Sequence, residues 1–388
     1  MSLSISAVRR TFYELRTEGE GPGREACAIG VGVFIGCSPF YGFHLLMSWV
    51  CGRLFGLNRL KVYLASNISN PVVAPLLILA EIQTGAWLRS GTFLALTLQA
   101  VKTIRPWQFG LDWFLGSAVI GGVLGSIGGI TTYFALRDGH KDPFFAGLVR
   151  EASERYVGKS ITAWEFARNK LRRDPLYREV LFRGWLPSGG KLLDIGCGQG
   201  LMLALLAEAE RVSLDGSVPP GTRLPRFDRI AGIELRPHRA SLARAALGPD
   251  ADIIESDARL VSPGDCRAVL FFDVLHMMPQ ADQDALLSAA VGALAQGGVI
   301  LVRETDASAG WRFHTVRIGN RLTALASGAW GQRFSFRTLR EWHECFARHG
   351  LDAESAPAGT GTPFANHLFR LTVRPAESAA TFRREQSA

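Results

Sequence analysis

Between Ala26 and Gly52 the only ionisable side chain is His44, and Arg24 and Arg53 close the run on either side. A helix needs about 20 apolar residues to cross a hydrocarbon core, so a stretch of this length and composition reads as a span. A second uncharged run extends from Val62 to Ala80, and a third from Trp113 to Leu136, ended by Arg137. The second contains "SNISNPVVAP", with Asn70-Pro71 at its centre. Proline removes a backbone donor and disfavours helix at the preceding residue, so a broken or re-entrant segment stands beside a straight span as a reading. The third run carries Ser117, Gly121, Gly125 and Gly129 at four-residue spacing, a face of small residues that lets another helix come close. The expectation is a membrane domain over residues 1–140 with two or three transmembrane or re-entrant helices. Glu81 and His44 are functional suspects inside it. The alternatives are a water-facing helix end for Glu81 and an inter-helix hydrogen bond for His44.

The formal net charge is +8 over 388 residues. Residues 1–150 hold 13 Lys and Arg against 8 Asp and Glu, and the remainder holds 30 against 27. A basic bias beside apolar runs suits anionic lipid headgroups, and nothing in the chain has the aromatic-interleaved basic pattern of a nucleic-acid binder. The expected partner is therefore a lipid bilayer, with no nucleic acid. The loop charges are nearly balanced around the three runs and set no orientation. The six cysteines form no C-x-x-C pair and no zinc spacing, and read as buried and reduced, with no metal site. The first 25 residues carry charges of both signs, unlike a cleavable signal peptide.

One resemblance follows from "AIGVGVFIGCSPFYGFHLLMSWVCGRLFGLNRLKVYLASNISNP". Its glycine-rich apolar start, the Pro39 to Gly42 turn, the Leu57-Asn58 step and the Asn70-Pro71 pair resemble the bacterial membrane family called domain of unknown function 2062. The resemblance implies an all-α helical transmembrane domain and no chemistry.

Residues 141–160 read as a linker with a surface helix. Asp174 is a candidate N-cap with Pro175 at the first helical position. From Lys191 short apolar strands ("KLLDIG", "RIAGIE", "DIIES", "AVLFFD", "GGVILVRE", "HLFRLTV") alternate with helical stretches such as "HRASLARAAL" and "QDALLSAAVGALAQ". That alternation predicts an α/β fold, a doubly wound, mainly parallel sheet, over residues 161–373, with a disordered tail at 374–388.

At the end of the first strand Asp194 precedes Gly196-Cys197-Gly198-Gln199-Gly200. Glycines let a backbone approach a ligand, and in such sheets ligands bind beyond the carboxyl ends of the strands. Dinucleotide binding calls for G-x-G-x-x-G, but position 201 is Leu. The tight G-x-G-x-G after an acid instead resembles motif I of the class I S-adenosylmethionine-dependent methyltransferases. The resemblance implies a Rossmann-like domain with S-adenosyl-L-methionine as cofactor. It further implies Asp194, Gly196, Cys197, Gly198 and Gly200 around it, Glu234 with Leu235 on the ribose, Asp257 and Ala258 near the adenine, and Asp273 at the fourth strand end. Asp194 and Glu234 stand 40 residues apart, about twice the common spacing. The excess, "RVSLDGSVPPGTRLPRFD", reads as a Pro/Gly-rich loop of the kind that tolerates insertion, and its Asp215 and Asp228 compete for the ribose role.

Methyl transfer to a hydroxyl gains from a nearby base. His276 is the natural candidate because its ordinary pKa lies near neutrality, and a structural hydrogen bond is the alternative. Glu304, Asp306 and His314 are further candidates. The stretch "GWRFHTVRIGNRLTALASGAWGQRFSFRTLREW" reads either as a substrate lid, with Arg312, Arg317 and Arg321 suited to an anionic group on a hydrophobic small-molecule methyl acceptor, or as a surface helix whose aromatics pack on the sheet. The functional expectation is a membrane-anchored methyltransferase of the inner membrane, its catalytic domain facing the cytoplasm, acting on a lipid-like or polyketide-like acceptor. The alternative is a non-catalytic cofactor-binding regulator or scaffold attached to a membrane domain, possibly transport-related.

Overall fold

The structure, a computed structural model, describes residues 13, 21–94, 110–137, 142–326 and 328–374. The tail expected at 374–388 lies outside the described residues except for Arg374. The chain divides into two units, Met1–Pro143 and Phe144–Ala388.

The described part of the first unit is all helical: α1 Pro22–Gly36, α2 His44–Phe55, α3 Arg59–Ser66, α4 Ala74–Ser90 and α5 Gly110–Arg137. The first uncharged run is therefore not one span. It breaks after α1, where Ser38, Pro39 and a left-handed Gly42 turn the chain before α2. The second run is broken as its prolines require. Asn58 caps α3 by accepting from Lys61 N at 2.8 Å, and Asn70 Oδ1 accepts from Val72 N and Val73 N to turn the chain into α4. The third run is one helix of 28 residues, about 42 Å long at 1.5 Å per residue. Among the described residues it is the one helix long and apolar enough to cross a membrane.

Glycine decides how these helices pack. A Cβ on Gly116 would lie 1.7 Å from Glu81 O, and one on Gly85 would lie 1.7 Å from Asp112 O, so α4 and α5 touch backbone to backbone. On the α1 side, Gly125 faces Gly30, Gly129 faces Ala26, and Gly121 faces Phe34 and Cys37. The small-residue face thus meets α1. Glu81 is fully buried and accepts a hydrogen bond from Trp113 Nε1 at 2.8 Å, which corrects the water-facing alternative. His44 Nε2 pairs with Ser38 O in the preceding turn, not with another helix. Gly116→Leu is expected to force α4 and α5 apart and cost about 3 kcal/mol or more. Gly122→Ala on the same helix meets no atom within 4 Å and is expected to be neutral. Thermal unfolding of the detergent-solubilised chain, scored by monodispersity, separates the two.

The second unit is built on a seven-stranded sheet of order β3-β2-β1-β4-β5-β7-β6. The strands are β1 Lys191–Ile195, β2 Arg229–Glu234, β3 Asp252–Glu255, β4 Cys266–Phe272, β5 Leu294–Thr305, β6 Leu351–Pro357 and β7 Asn366–Val373. The first five run parallel, and β7 is antiparallel to both β5 and β6. The strand order reverses at β1, between β2 and β4, and opens a crevice there at the carboxyl ends. Helices α9 Leu201–Leu214, α10 Pro237–Leu247, α11 Gln280–Gly292, α12 Trp311–Ala326 and α13 Leu339–Arg348 make the connections.

Three boundaries differ from expectation. Helix α11 stops at Gly292, and Gly297-Gly298 lies within β5, where its pairing with β4 shifts register. Strand β6 was not expected at all. The segment expected to be a linker with a surface helix instead belongs to the core. In α6, Pro143–Glu154, the side chains of Phe145, Leu148, Val149 and Ala152 are buried. Two further helices, α7 Ile161–Arg173 and α8 Pro175–Phe182, precede β1. Asp174 caps α8 as expected, accepting from Leu176 N at 3.1 Å.

Candidate cofactor site and methyltransferase family

The chain leaves β1 through a loop in which Gly196, Gly198 and Gly200 all have left-handed φ, at 79°, 60° and 78°. Only glycine adopts this conformation repeatedly without strain. Space is also decisive, since a Cβ on Gly196 would lie 2.6 Å from Val274. Beneath the loop, Gly232 in β2 has no room for a side chain either, because Cys197 Sγ and Leu203 fill the position. Two residues outside the motif fasten the loop. Tyr156, buried just after α6, donates its hydroxyl to Gln199 O at 2.7 Å, and Glu234 Oε2 accepts from Gly198 N at 2.9 Å. Glu234 Oε1 accepts from Arg236 N at 2.9 Å.

The loop borders a crevice of about 820 Å³, within the usual range for small-molecule sites. Asp194, Gly196, Cys197, Gly198, Glu234, Leu235, Asp257, Ala258 and Asp273 all line it, and Gly200 stands behind them at the start of α9. Asp215 and Asp228 do not. Asp215 pairs with Arg211 at the far end of α9, and Asp228 accepts from Gly190 N at the opposite end of the sheet. The roof was not foreseen: Phe166 and Lys170 of α7 and Tyr177 of α8 face the same space.

Among the described residues, five acids and five Lys or Arg side chains line the crevice, but the two buried acids, Asp194 and Glu234, sit together beside the glycine loop. Asp194 is buried, and its carboxylate accepts no hydrogen bond from the described residues. Burial, and then the charge on Glu234, push its pKa up to about 7. Burial and the same two acids also raise the Cys197 thiol, which disfavours the thiolate that a nucleophile needs. Asp257 is held by Arg259, with Nη2 to Oδ2 at 2.6 Å, and Arg259 reaches on to Asp282 at 2.7 Å.

On the opposite wall Arg303 of β5 is 2 % exposed and bonds both Asp174 oxygens, at 2.6 and 2.7 Å, and both oxygens of Asp273. Asp273, with φ 56°, is the one non-glycine residue of left-handed conformation among those described. Such strain persists where the surroundings fix it, and it clusters at functional sites. Here the guanidinium provides the fixing.

His276 and Glu304 meet each other but do not line the crevice. His276 is 6 % exposed, and its Nδ1 lies 2.7 Å from Glu304 Oε2. Glu304 Oε1 accepts from Leu275 N and His276 N. A carboxylate only accepts, so Nδ1 carries the proton, and Nε2 accepts from Asn320 Nδ2 of α12 at 3.1 Å. The ring stacks on Phe336, centroids 4.9 Å apart, and on Phe334. Burial disfavours its charged form, but Glu304 outweighs burial and raises the pKa. The other candidates have structural tasks or face solvent. Asp306 accepts from Ser308 and Leu339 N, Arg312 donates to the carbonyls of Gly359, Thr362 and Phe364, and His314, Arg317 and Arg321 are exposed. Arg312 thus spends one terminal nitrogen of its guanidinium on the loop carbonyls.

Residues 163–356 match the model of a family described as a methyltransferase domain. The chain belongs to this family. The methyltransferase domain is preceded by a match over residues 6–142 to a family described as an uncharacterized protein conserved in bacteria, DUF2062. A search of curated proteins finds no match. Solved structures similar to the methyltransferase domain include the DhpI–SAH complex (16% identity, 59% of this chain and 98% of that one, TM-score 0.39). Another is the N,N-8-amino-8-demethyl-D-riboflavin dimethyltransferase RosA from Streptomyces davawensis (18% identity, 62% and 64%, TM-score 0.39). A third is the magnesium protoporphyrin IX methyltransferase ChlM from Synechocystis PCC 6803 with bound SAH (13% identity, 63% and 95%, TM-score 0.35).

Proposed function

We propose that the chain is a membrane-anchored enzyme that uses S-adenosylmethionine to O-methylate an apolar, lipid-like or polyketide-like acceptor at the cytoplasmic side of the inner membrane. The carrying observation is the pair of buried acids at the point where the strand order reverses, one of which, Asp194, has no hydrogen-bond partner among the described residues. A ligand that brings positive charge and donors relieves such a pair. Membership of the methyltransferase-domain family supports the same cofactor.

The residues fit that group. The glycines keep the loop free of side chains on the approach, and Glu234 keeps acceptor capacity beyond its two backbone donors for ribose hydroxyls. Ala258 and Leu235 offer apolar contact to the adenine, while Asp257 is already engaged by Arg259. When bound, the cofactor supplies a methyl group on a positively charged sulfur. Placing the acceptor oxygen in line with that carbon accounts for much of the rate.

His276 is the proposed base: Nε2 takes the hydroxyl proton of the acceptor while Glu304 holds the Nδ1 proton and steadies the imidazolium. For this Asn320 must give up its hydrogen bond to Nε2. The rings of Phe313, Phe334 and Phe336 around His276 suit an apolar acceptor. Anchoring is supported by the match over residues 6–142, by the length and composition of α5, and by large apolar side chains such as Leu54, Phe55 and Leu76 that the first unit leaves exposed.

Equilibrium dialysis of the detergent-solubilised chain with labelled S-adenosylmethionine tests the cofactor. The ionised form of Asp194 is the one that welcomes a cation, and its pKa near 7 means the protonated form takes over as the pH falls. Affinity is therefore expected to be level above pH 8 and to weaken by up to about tenfold per pH unit below 7. Asp194→Asn is expected to bind weakly without that slope. No saturable binding at pH 8, or equal competition by NAD, sinks the cofactor assignment. Anchoring fails separately if carbonate washing strips the full-length chain from membranes.

A further inference from the structure

Residues 307–340 contain six arginines and no Asp or Glu, whereas the rest of residues 151–388 holds 24 basic and 27 acidic residues. Not all six arginines are available. Arg312 is bonded to loop carbonyls, Arg337 to Asp284 and Arg340 to Glu344, which leaves Arg317, Arg321 and Arg333 as exposed cations.

Helix α12 occupies the middle of this stretch. Its apolar residues Trp311, Ile318, Leu322 and Leu325 are 43 to 66 % exposed. At 3.6 residues per turn their spacing of seven, four and three places them on a single narrow stripe. Arg317 and Arg321 flank the stripe on one side. Trp330, just beyond the helix, is 77 % exposed. The opposite face is the one that meets the domain: Phe313 packs edge-on against Phe336, Asn320 donates to His276 Nε2, and Ala324 is the one buried side chain of the helix among those described. A helix that turns its larger apolar side chains outward, with tryptophans at its two ends and arginines alongside, has the features of an interfacial helix.

We infer that α12 and Trp330 form a docking surface for an anionic phospholipid bilayer, with the apolar stripe seated at the headgroup–acyl boundary and Arg317, Arg321 and Arg333 among the headgroup phosphates. The inference rests on the membrane reading proposed above and extends it to the catalytic domain. Charge selects the occupant. A surface free of carboxylates has nothing to offer a basic partner, and isolated exposed cations beside an apolar stripe complement an array of phosphates. Docking also reaches the site, because Asn320 lies on the far side of the same helix. A bilayer that shifts α12 shifts the amide covering the proposed base.

The test uses the full-length chain in nanodiscs of mixed phosphatidylcholine and phosphatidylglycerol, or of phosphatidylcholine alone, doped with a phospholipid bearing a photoactivatable diazirine high on its acyl chain. Mass spectrometry then locates the label. Peptides covering residues 311–333 are expected to be labelled in the mixed discs and at least fivefold less in phosphatidylcholine alone. The double substitution Arg317→Glu with Arg321→Glu is expected to give the same loss while dialysis still finds S-adenosylmethionine bound. Equal labelling in both discs overturns the anionic surface. Label on residues 110–137 but none on 311–333 overturns the docking helix and leaves the anchor standing, whereas label on neither removes both.

Discussion

Replacing His276 by alanine is expected to lower methyl transfer by about 10²- to 10⁴-fold, the range that a positioned base contributes. Binding of S-adenosylmethionine should be unchanged, because His276 does not line the cofactor crevice. Incorporation of labelled methyl into a lipid extract measures the first quantity, and dialysis the second. Loss of a buried ring stacked on Phe336 also destabilises the domain, so Glu304→Gln is the companion variant. Its shape is preserved, but its amide can donate to Nδ1 and place the imidazole proton on Nε2, where a base needs a lone pair. A comparable fall in kcat with little change in KM is expected. The pH profile separates a base from a structural histidine. Glu304 raises the pKa of His276, and the protonated ring cannot accept, so wild-type turnover should fall as pH drops through that raised value. The residual activity of His276→Ala should lack this limb. Full activity in both variants removes the proposed base.

Arg303→Met is expected to destabilise the methyltransferase domain strongly. Removing the buried cation leaves the partly exposed Asp174 and Asp273 facing each other with only Lys170 still paired to Asp174, so the cost should fall at or below the lower end of the roughly 3–5 kcal/mol of a fully buried pair. At about 2–4 °C per kcal/mol for a unit of this size, the melting temperature should fall by up to about 10 °C. The acid side has a definite sign. Burial alone raises Asp174, but Arg303 and then Lys170 outweigh it and hold its pKa at about 2. The folded value lies below the unfolded one, so the stabilisation, about 2 kcal/mol, is complete above pH 4 and is lost as the pH falls toward 2. In Arg303→Met that acid limb should shrink, leaving the part that Lys170 supplies at 2.8 Å. Unfolding followed by near-ultraviolet circular dichroism at pH 7 and pH 3 checks both. Equal melting temperatures for the two proteins would show that the bridge is replaceable.

What the sequence disclosed of this site was its local part. Asp194 and the glycine loop are contiguous, and Glu234 announces itself by ending an apolar strand, so each is legible from a few neighbouring residues. The fastening is not. Arg303 reaches Asp174 across 129 residues, and Tyr156 reaches Gln199 across 43. Neither has a spacing that marks it, since an arginine inside "VILVRET" reads as a charged strand end until Asp174 arrives from the junction of α7 and α8 and Asp273 from the end of β4. The roof was missed for the same reason. Phe166, Lys170 and Tyr177 lie on helices whose amphipathic pattern predicts burial but not what is buried beneath them. In the first unit, composition outweighed turn chemistry. Lack of charge from Ala26 to Gly52 suggested one span, although Pro39 and Gly42 already carried the signal of the break. The excess between Asp194 and Glu234 was read wholly as loop, yet α9 continues to Leu214 before the chain turns. His276 and Glu304 were both singled out, but Asn320, which completes their arrangement, has no sequence signature.

The glycine contacts of the first unit have a mechanical consequence. Where Gly116 meets Glu81 and Gly85 meets Asp112, main chain bears directly on main chain, with no rotamers between to yield. Ordinary helix pairs accommodate small displacements by repacking side chains. At these two points there is none to repack, and the side-chain bonds of Trp113 to Glu81 and Arg89 to Asp112 lie beside them, so α4 and α5 are expected to move together.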